Sequence, residues 1–213
     1  MSRTVIAFLL LAALFVAGAL VWMLTRPGAE PALDQAARLD SPYWTGDDRL
    51  VDVDGVMARV RSEGPADAPV IVMVHGFSYS LESWDAWAED LGADYRVIRL
   101  DLPGHGLTGP DPQQRYSVPQ TVDFLGSLLD ELGLDHVTLA GNSLGGLVSW
   151  RLAAERPDLV SRLVLVAPGA YSINGVTEEP VAVPMAVSFY LTSAPEAMVA
   201  AASAGLFGDV SRM

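Results

Sequence analysis

A serine flanked by glycines is the residue best suited to chemistry in this sequence. It lies in the segment Gly141-Asn142-Ser143-Leu144-Gly145, between a short apolar run and a helical pattern. The G-x-S-x-G spacing is typical of a tight strand-to-helix turn whose small residues leave the serine hydroxyl protruding. The N–H groups at the start of such a helix offer positive potential to an oxyanion. The pattern therefore indicates a nucleophilic Ser143; a glycine-rich turn with a capping serine is the alternative.

A second segment, His75-Gly76-Phe77, directly follows another apolar run. In a site of this kind, the second oxyanion donor is a backbone N–H from such a loop. We expect the N–H of Phe77 to join that of Leu144, and Gly76 to let the chain turn sharply. His75 is expected to brace the loop through hydrogen bonds, and a role as the catalytic base is the alternative.

The third polar segment runs from Asp101 to Gly106 with the sequence DLPGHG. Its proline and two glycines predict a tight turn, in which Asp101 and His105 satisfy backbone groups. A direct chemical role for these two side chains is the alternative.

Composition excludes several classes of function. The 213 residues carry 13 Lys+Arg against 26 Asp+Glu, a net charge of −13, so the chain lacks the basic surface that nucleic-acid binding needs. It has no cysteine, which excludes disulfides, thiolate zinc sites and a cysteine nucleophile. With 51% hydrophobic residues it can bury a sizeable core, and its length fits one domain with an attachment.

The first 25 residues predict a membrane anchor. Residues 5–24 carry no charge, and as a helix they would span roughly 30 Å, the thickness of the hydrocarbon layer. A cleaved signal peptide and a buried core helix are the alternatives. Arg3 before the span weakly favours a cytoplasmic amino terminus and an extracytoplasmic catalytic part. Residues 26–42, with three prolines, are expected to form a linker.

From residue 43 onward, short apolar runs alternate with helical patterns. Asp54-Gly55 predicts a hairpin turn between two strands over 50–61. Further strands are predicted at 70–74, 97–100, 137–140 and 163–167, and helices at 83–91 (capped by Ser83), 118–132 and 143–156. This order predicts an α/β fold: a mostly parallel sheet with helices on both faces and the hairpin at its edge.

The segments HGF, DLPGHG and GNSLGG, occurring in this order, resemble the α/β-hydrolase superfamily, especially its cap-bearing branch. The resemblance covers about residues 43–213 and implies a core over 43–174 and the start of a cap or lid over 175–213. GNSLGG is most similar to the elbow of serine-dependent hydrolases that cleave carbon–carbon bonds in meta-cleavage products. Esterases, lipases and cofactor-free haloperoxidases have similar elbows. Epoxide hydrolases and haloalkane dehalogenases of this fold use aspartate, and Ser143 argues against both.

The resemblance also implies a catalytic triad that this chain does not complete. The family places an acid after a seventh strand and a histidine after an eighth. Here no carboxylate occurs in 167–171, and no histidine follows His136, which is expected at the wrong end of the sheet. Residues 163–167 would also form an unpaired apolar edge. We therefore expect a chain truncated at its C-terminus and inactive or nearly so; a degenerate or partner-completed protein is the alternative.

Residues 181–207 contain one charge, Glu196, and two prolines. They predict cap helices that roof a pocket for a hydrophobic acyl or aromatic substrate, with a membrane-surface segment or span as the alternative. The resemblance implies a serine hydrolase acting on an ester or related carbonyl, including C–C, bond through an acyl-enzyme. It implies no metal or cofactor. A non-catalytic membrane-anchored binding protein and an acyltransferase or perhydrolase using Ser143 are the alternatives.

Overall fold

The computed structural model describes residues 34–169. The chain divides into two compact units, residues 1–45 and 46–213. In the first, a short helix α1 (Gln35–Leu39) begins after Asp34, whose side chain accepts a hydrogen bond from the Ala37 N–H at 2.6 Å. The predicted anchor over 5–24 and the predicted cap over 175–213 lie outside the described residues. Within 34–169, no helix has the length and apolar character needed to cross a membrane.

The second unit contains a six-stranded sheet in the order β1-β2-β4-β3-β5-β6. Strands β1 and β2 pair antiparallel, as do β2 and β4, whereas β4, β3, β5 and β6 run parallel. The strands are β1 (Asp48–Val53), β2 (Val56–Glu63), β3 (Val70–Val74), β4 (Arg96–Leu100), β5 (Val137–Asn142) and β6 (Val160–Val166). The predicted α/β fold with a mostly parallel sheet and an edge hairpin is confirmed.

The hairpin and the central strand follow directly from local sequence. Asp54 and Gly55 have φ angles of +51° and +85°, the conformation a two-residue hairpin turn requires. In β3, Val72 faces one side of the sheet and Met73 the other, and both are fully buried. A strand covered on both faces needs the uninterrupted apolar run seen at 70–74.

Helices cover both faces of the sheet, as predicted. Helices α3 (Val118–Glu131) and α4 (Leu144–Glu155) pack on one face around Leu125, Leu139 and Val148. On the other face, a 3-10 helix (Leu81–Trp84) leads into α2 (Asp85–Leu91), which packs on Met73 and Val97. Because parallel strands place their carboxyl ends at one edge, the loops after β3, β4 and β5 meet there.

Two details differ from the sequence prediction. Ser83 does not cap a helix: it lies inside the 3-10 helix, and its hydroxyl donates to the Ser80 carbonyl. Strand β6 begins at Val160 rather than 163 and ends at Val166, because Ala167 has a φ of +42° that an extended strand excludes. Leu163, Val164 and Leu165 of β6 are 37–40% exposed.

Candidate active site

Ser143 lies between the end of β5 and the start of α4 in a conformation that L-residues rarely adopt. Its φ of +50° and ψ of −113° place it outside the allowed regions for a residue with a side chain. Two backbone hydrogen bonds hold it there: its N–H donates to Val166 O at 3.2 Å, and its carbonyl accepts from the Gly169 N–H at 2.8 Å. The turn is therefore maintained by residues more than twenty positions along the chain.

The glycines of the elbow (residues 141–145) are required by close backbone contacts. A Cβ on Gly145 would lie 2.2 Å from the Val74 carbonyl oxygen, and one on Gly141 would lie 2.4 Å from the Gly145 oxygen. The first turn of α4 thus rests directly on the end of β3. The G-x-S-x-G spacing follows from this packing, since larger residues would displace the helix from the strand.

The loop that carries Phe77 passes beside Ser143. A Cβ on Gly76 would lie 3.2 Å from the Ser143 Cβ. Within residues 34–169, no acceptor hydrogen-bonds the Phe77 N–H. Leu144 is the first residue of α4, and first-turn N–H groups have no intrahelical acceptor. The two predicted oxyanion donors therefore lie on segments in contact with each other, and within residues 34–169 neither N–H has a backbone acceptor.

Asn142 joins the ends of β5 and β6. Its Nδ2 donates to Val166 O at 3.0 Å, the same carbonyl that accepts the Ser143 N–H. Its Oδ1 lies where a Cβ on Gly76 would come within 2.8 Å. Asn142 therefore fixes the elbow to β6 and closes the space beside Gly76.

His75 supports the loop that carries Phe77, and both of its ring nitrogens form hydrogen bonds. The ring is fully buried; Nδ1 donates to the Gly76 carbonyl at 2.7 Å, and Nε2 accepts from the Leu102 N–H at 3.0 Å. Burial lowers the pKa of His75 to about 4. A neutral ring with both nitrogens engaged joins the loops after β3 and β4, and it is not arranged as a base for Ser143.

Asp101 and His105 also hold loops in place. The buried Asp101 carboxylate accepts from the Leu81 N–H at 2.8 Å and the Leu107 N–H at 2.9 Å. Burial raises the pKa of Asp101, and these hydrogen bonds oppose that effect. His105 donates to the Pro103 carbonyl at 3.0 Å, and its ring packs 5.8 Å from that of Phe77.

The three histidines of the chain all lie within residues 34–169, and none hydrogen-bonds the Ser143 hydroxyl. His136 immediately precedes β5, so the whole strand separates it from Ser143, roughly 20 Å at 3.3 Å per residue. No second or third triad member is assembled in the described part of the chain.

A buried cluster of charges, which was not predicted, lies under the 3-10 helix that follows the Phe77 loop. Arg59 is fully buried and pairs with Asp48 at 2.9 Å, Glu82 at 2.7 Å and Asp101 at 3.3 Å. Arg61 pairs with Asp48 at 2.8 Å. Glu82 belongs to the 3-10 helix, so the cluster anchors the segment that follows the Phe77 loop. The available signal was the pair of arginines two positions apart on β2, which must share one face.

Residues 34–169 contain no group of side chains that could form a metal site. Across residues 34–169, no three His, Asp or Glu side chains are grouped so that they could hold a metal ion.

Comparisons with known proteins agree with this architecture. Residues 69–202 match the family model described as alpha/beta hydrolase fold. A protein of Bacillus subtilis (strain 168), provisionally named as a 2-succinyl-6-hydroxy-2,4-cyclohexadiene-1-carboxylate synthase, is 35% identical over 150 residues, which are 69% of this chain and 54% of that protein.

Solved structures are similar as well. A hydrolase from Pseudomonas aeruginosa PA01 aligns with a TM-score of 0.60 at 26% identity, over 75% of this chain and 58% of that chain. A bacterial membrane phospholipase A, described as a virulence factor, aligns with a TM-score of 0.56 at 27% identity, over 80% and 53%. The chain spans about half the length of these relatives.

Proposed function

The chain belongs to the α/β-hydrolase family, and from that premise we propose that it is a serine hydrolase that cleaves an ester or related carbonyl bond through an acyl-enzyme on Ser143. The observation that carries the proposal is the conformation of Ser143, with a φ of +50° between β5 and α4. Such strain persists where the surroundings over-determine it, and it is a feature of functional sites. In the proposal, this conformation presents the Ser143 hydroxyl to the substrate beside the backbone N–H groups of Phe77 and Leu144.

In the proposed reaction, Ser143 Oγ attacks the substrate carbonyl carbon and loses its proton to a general base. The carbonyl electron pair moves to oxygen, and the N–H groups of Phe77 and Leu144 stabilise this oxyanion. Collapse breaks the bond to the leaving group, which takes the proton and departs. Water then attacks the acyl-enzyme by the same route and releases the acid.

The proposal assigns the nucleophile and the oxyanion donors to this chain, but not the base. His75 has both nitrogens engaged, and His136 lies at the opposite end of β5. We therefore expect the histidine and its acid not to be among these 213 residues, and the chain by itself to turn over slowly or not at all. Removal of triad members still leaves residual catalysis from the oxyanion donors and binding.

The proposed substrate is a hydrophobic acyl or aromatic compound used at a membrane. Similarity to a membrane phospholipase A supports this class of substrate, as does the charge-free stretch over residues 5–24. In the proposal that stretch is a single-pass anchor and the catalytic part is extracytoplasmic. Alkaline carbonate extraction tests the anchor: the chain should stay with membranes, and release of the intact chain would contradict it.

A fluorophosphonate probe tests the nucleophile. The 213-residue chain should be labelled slowly, and added imidazole, which supplies the missing ring, should accelerate labelling. Ser143→Ala should abolish it. Ser161→Ala is the matched control, because the Ser161 hydroxyl donates to the His136 carbonyl at the far end of β5 and should not affect labelling. A folded chain that reacts equally well without Ser143, or not at all with imidazole, would overturn the proposal.

A further inference from the structure

The chain turns sharply after β6 and forms a strap (residues 166–169) against the first turn of α4. The strap leaves no space at Gly146, where an added Cβ would lie 2.7 Å from the Pro168 Cβ. Within the strap, Ala167 has a φ of +42°, a conformation that persists in a residue with a side chain only where its surroundings hold it. The strap is therefore packed tightly onto the helix that begins at the elbow.

The strap hydrogen-bonds the peptide unit that joins Ser143 to Leu144. The Gly169 N–H donates to the Ser143 carbonyl oxygen at 2.8 Å, and the same oxygen accepts the Leu147 N–H at 3.0 Å. A carbonyl oxygen has two lone pairs, so this one is fully used. Because a peptide unit is planar and trans, fixing its oxygen on one side also fixes the direction of its N–H on the other. That N–H belongs to Leu144 and is one of the two proposed oxyanion donors.

Trp150 of α4 holds the strap in place. Its indole Nε1–H donates to the Gly169 carbonyl at 3.0 Å, and the Arg151 guanidinium lies 5.6 Å from the centre of the Trp150 ring. Gly169 is thus held on both sides, since its N–H is bound to Ser143 and its carbonyl to Trp150. The indole therefore acts on the peptide unit of the elbow through a single intervening residue.

We propose that Trp150 is a positioning residue for the oxyanion donor Leu144 N–H, acting through the carbonyl and the N–H of Gly169. This deepens the proposed function and rests on it, because the direction of that N–H matters to catalysis only if an oxyanion forms at Ser143. Oxyanion donors that are oriented in advance need no reorganisation when charge develops. The hydrogen bond from Gly169 also polarises the Ser143–Leu144 peptide, which makes its N–H a stronger donor.

Selective isotope labelling observes the Leu144 N–H directly. With ¹³C at serine carbonyls and ¹⁵N at leucine, only a leucine that follows a serine gives a signal in a carbonyl-to-amide NMR experiment. The sequence has three such leucines: Leu81, Leu128 and Leu144. Ser143→Ala removes the ¹³C label before Leu144 and so assigns its signal. Trp150→Phe keeps a ring but removes the N–H; it should move the Leu144 ¹⁵N signal upfield, as expected when the preceding carbonyl is less polarised, and leave the other two unmoved.

The rate of covalent labelling at Ser143 tests the consequence for reactivity. The two probes are a fluorophosphonate and its thiono analogue, in which P=S replaces P=O. Sulfur is a weak hydrogen-bond acceptor, so the thiono probe gains little from the oxyanion donors. With imidazole present, Trp150→Phe should slow labelling by the fluorophosphonate about 3- to 10-fold, the effect of one hydrogen bond, and labelling by the thiono probe less than about 2-fold. A substitution that only loosened the fold would slow both probes equally.

Two further variants complete the test. Trp44→Phe is the matched control, because Trp44 lies in the other compact unit, residues 1–45, and this exchange should change neither readout. Gly169→Ala keeps the indole but displaces the strap, since the added Cβ would lie 3.1 Å from the Leu147 Cβ. It should move the Leu144 signal and slow the fluorophosphonate more than the thiono probe, as Trp150→Phe does.

An unmoved Leu144 signal in Trp150→Phe, or an equal slowing of both probes, would overturn the inference. If Trp150→Phe does not fold, the same two results in Gly169→Ala decide. Failure of the proposed function is distinguishable: neither probe would label Ser143 in the parent chain, and the Leu144 signal would still show whether Trp150 orients that N–H. A reactive Ser143 whose labelling rates do not respond to either variant would contradict only the positioning role.

Discussion

Replacing Gly145 by alanine should destabilise the protein strongly, although alanine is the better helix former. Gly145 lies in the first turn of α4, where a Gly→Ala exchange in a helix gains about 1 kcal/mol. The new Cβ, however, would lie 2.2 Å from the Val74 carbonyl oxygen and 2.4 Å from that of His75. Both are backbone atoms, so the helix must move by about 1 Å to restore ordinary contact distances of the kind that dense packing requires.

The size of the effect follows from these opposing terms. Overpacking in a well-packed interior costs about 1–3 kcal/mol, and we expect the upper end because no side chain can rotate away. After the helix gain, the net loss is about 2 kcal/mol. For a chain of this length, that loss corresponds to a fall in Tm of about 4–8 °C.

Gly126→Ala is the matched control, also in a helix. There the added Cβ would meet only the Leu152 Cδ1, at 3.3 Å, the end of a side chain that can shift. Gly126→Ala should therefore be neutral or stabilising by up to about 1 kcal/mol. Urea unfolding of the two variants and the parent chain measures the difference. Equal stabilities for Gly145→Ala and Gly126→Ala would refute the close contact between α4 and β3.

Three further perturbations test other parts of the structure. Burial lowers the pKa of His75 from 6.5 to about 4, so the unfolded chain takes up this proton at a higher pH than the folded chain does. The free energy of unfolding should therefore fall by about 3 kcal/mol as the pH drops from 6.5 towards 4. In His75→Gln this part of the pH dependence, measured by urea unfolding, should disappear, and an unchanged dependence on pH would contradict the burial of a neutral ring. Asp101→Asn should lower the free energy of unfolding by about 3 kcal/mol because it breaks a buried ion pair. Asp130→Asn removes an exposed ion pair and should lower it by less than about 1 kcal/mol. Similar losses of stability for the two variants in denaturant unfolding would argue against the buried cluster. Gly55→Ala should lower the free energy of unfolding by about 1 kcal/mol through its φ of +85° alone, since no atom lies within 4 Å of the added Cβ. Gly46→Ala is the control, because Gly46 is equally open but has no positive φ, and it should change the melting temperature little. Equal shifts in melting temperature for the two variants would exclude the strained turn.

Local signals predicted the elements that depend on local physics. The Asp54-Gly55 turn supplied the two positive φ angles of the hairpin, and the unbroken apolar run of 70–74 became the central strand without a change of bounds. The helix predicted from residue 118 begins there, after Ser117, whose N–H donates to the Gln120 side chain at 3.1 Å. In each case the residues that determine the structure lie within a few positions of each other.

The predicted helix cap at Ser83 and the predicted start of β6 were wrong, because residues distant in the sequence determine the structure there. Ser83 was expected to cap a helix, but the chain there forms a 3-10 turn because Asp101, twenty residues further on, accepts the Leu81 N–H. Strand β6 begins three residues earlier than its apolar run, since Val160 pairs with Val137 and Arg162 with Thr138 of β5, and backbone pairing does not depend on the polarity of Arg162. Hydropathy does not record pairing of this kind.

The site was predictable only in its backbone. The glycine spacing pointed to the turn at Ser143, because close backbone contacts leave a mark on residue type. Local sequence does not predict the burial of Arg59, since a charged residue is normally exposed and the partners of Arg59 come from three separate segments. Nor does it predict the hydrogen bond from Trp150 Nε1 to Gly169 O, because the two residues are 19 positions apart.

The shape of the chain at residue 143 is assembled from remote parts of the sequence. Val74 in β3 contacts the first turn of α4, the helix that follows Ser143, and the Val166 carbonyl at the end of β6 accepts the Ser143 N–H. An isolated peptide with the same five residues would relax to an ordinary turn, because nothing would oppose the strain. Chemistry at this one hydroxyl should therefore rise and fall with the native population, so a reagent selective for it would count correctly folded molecules during refolding.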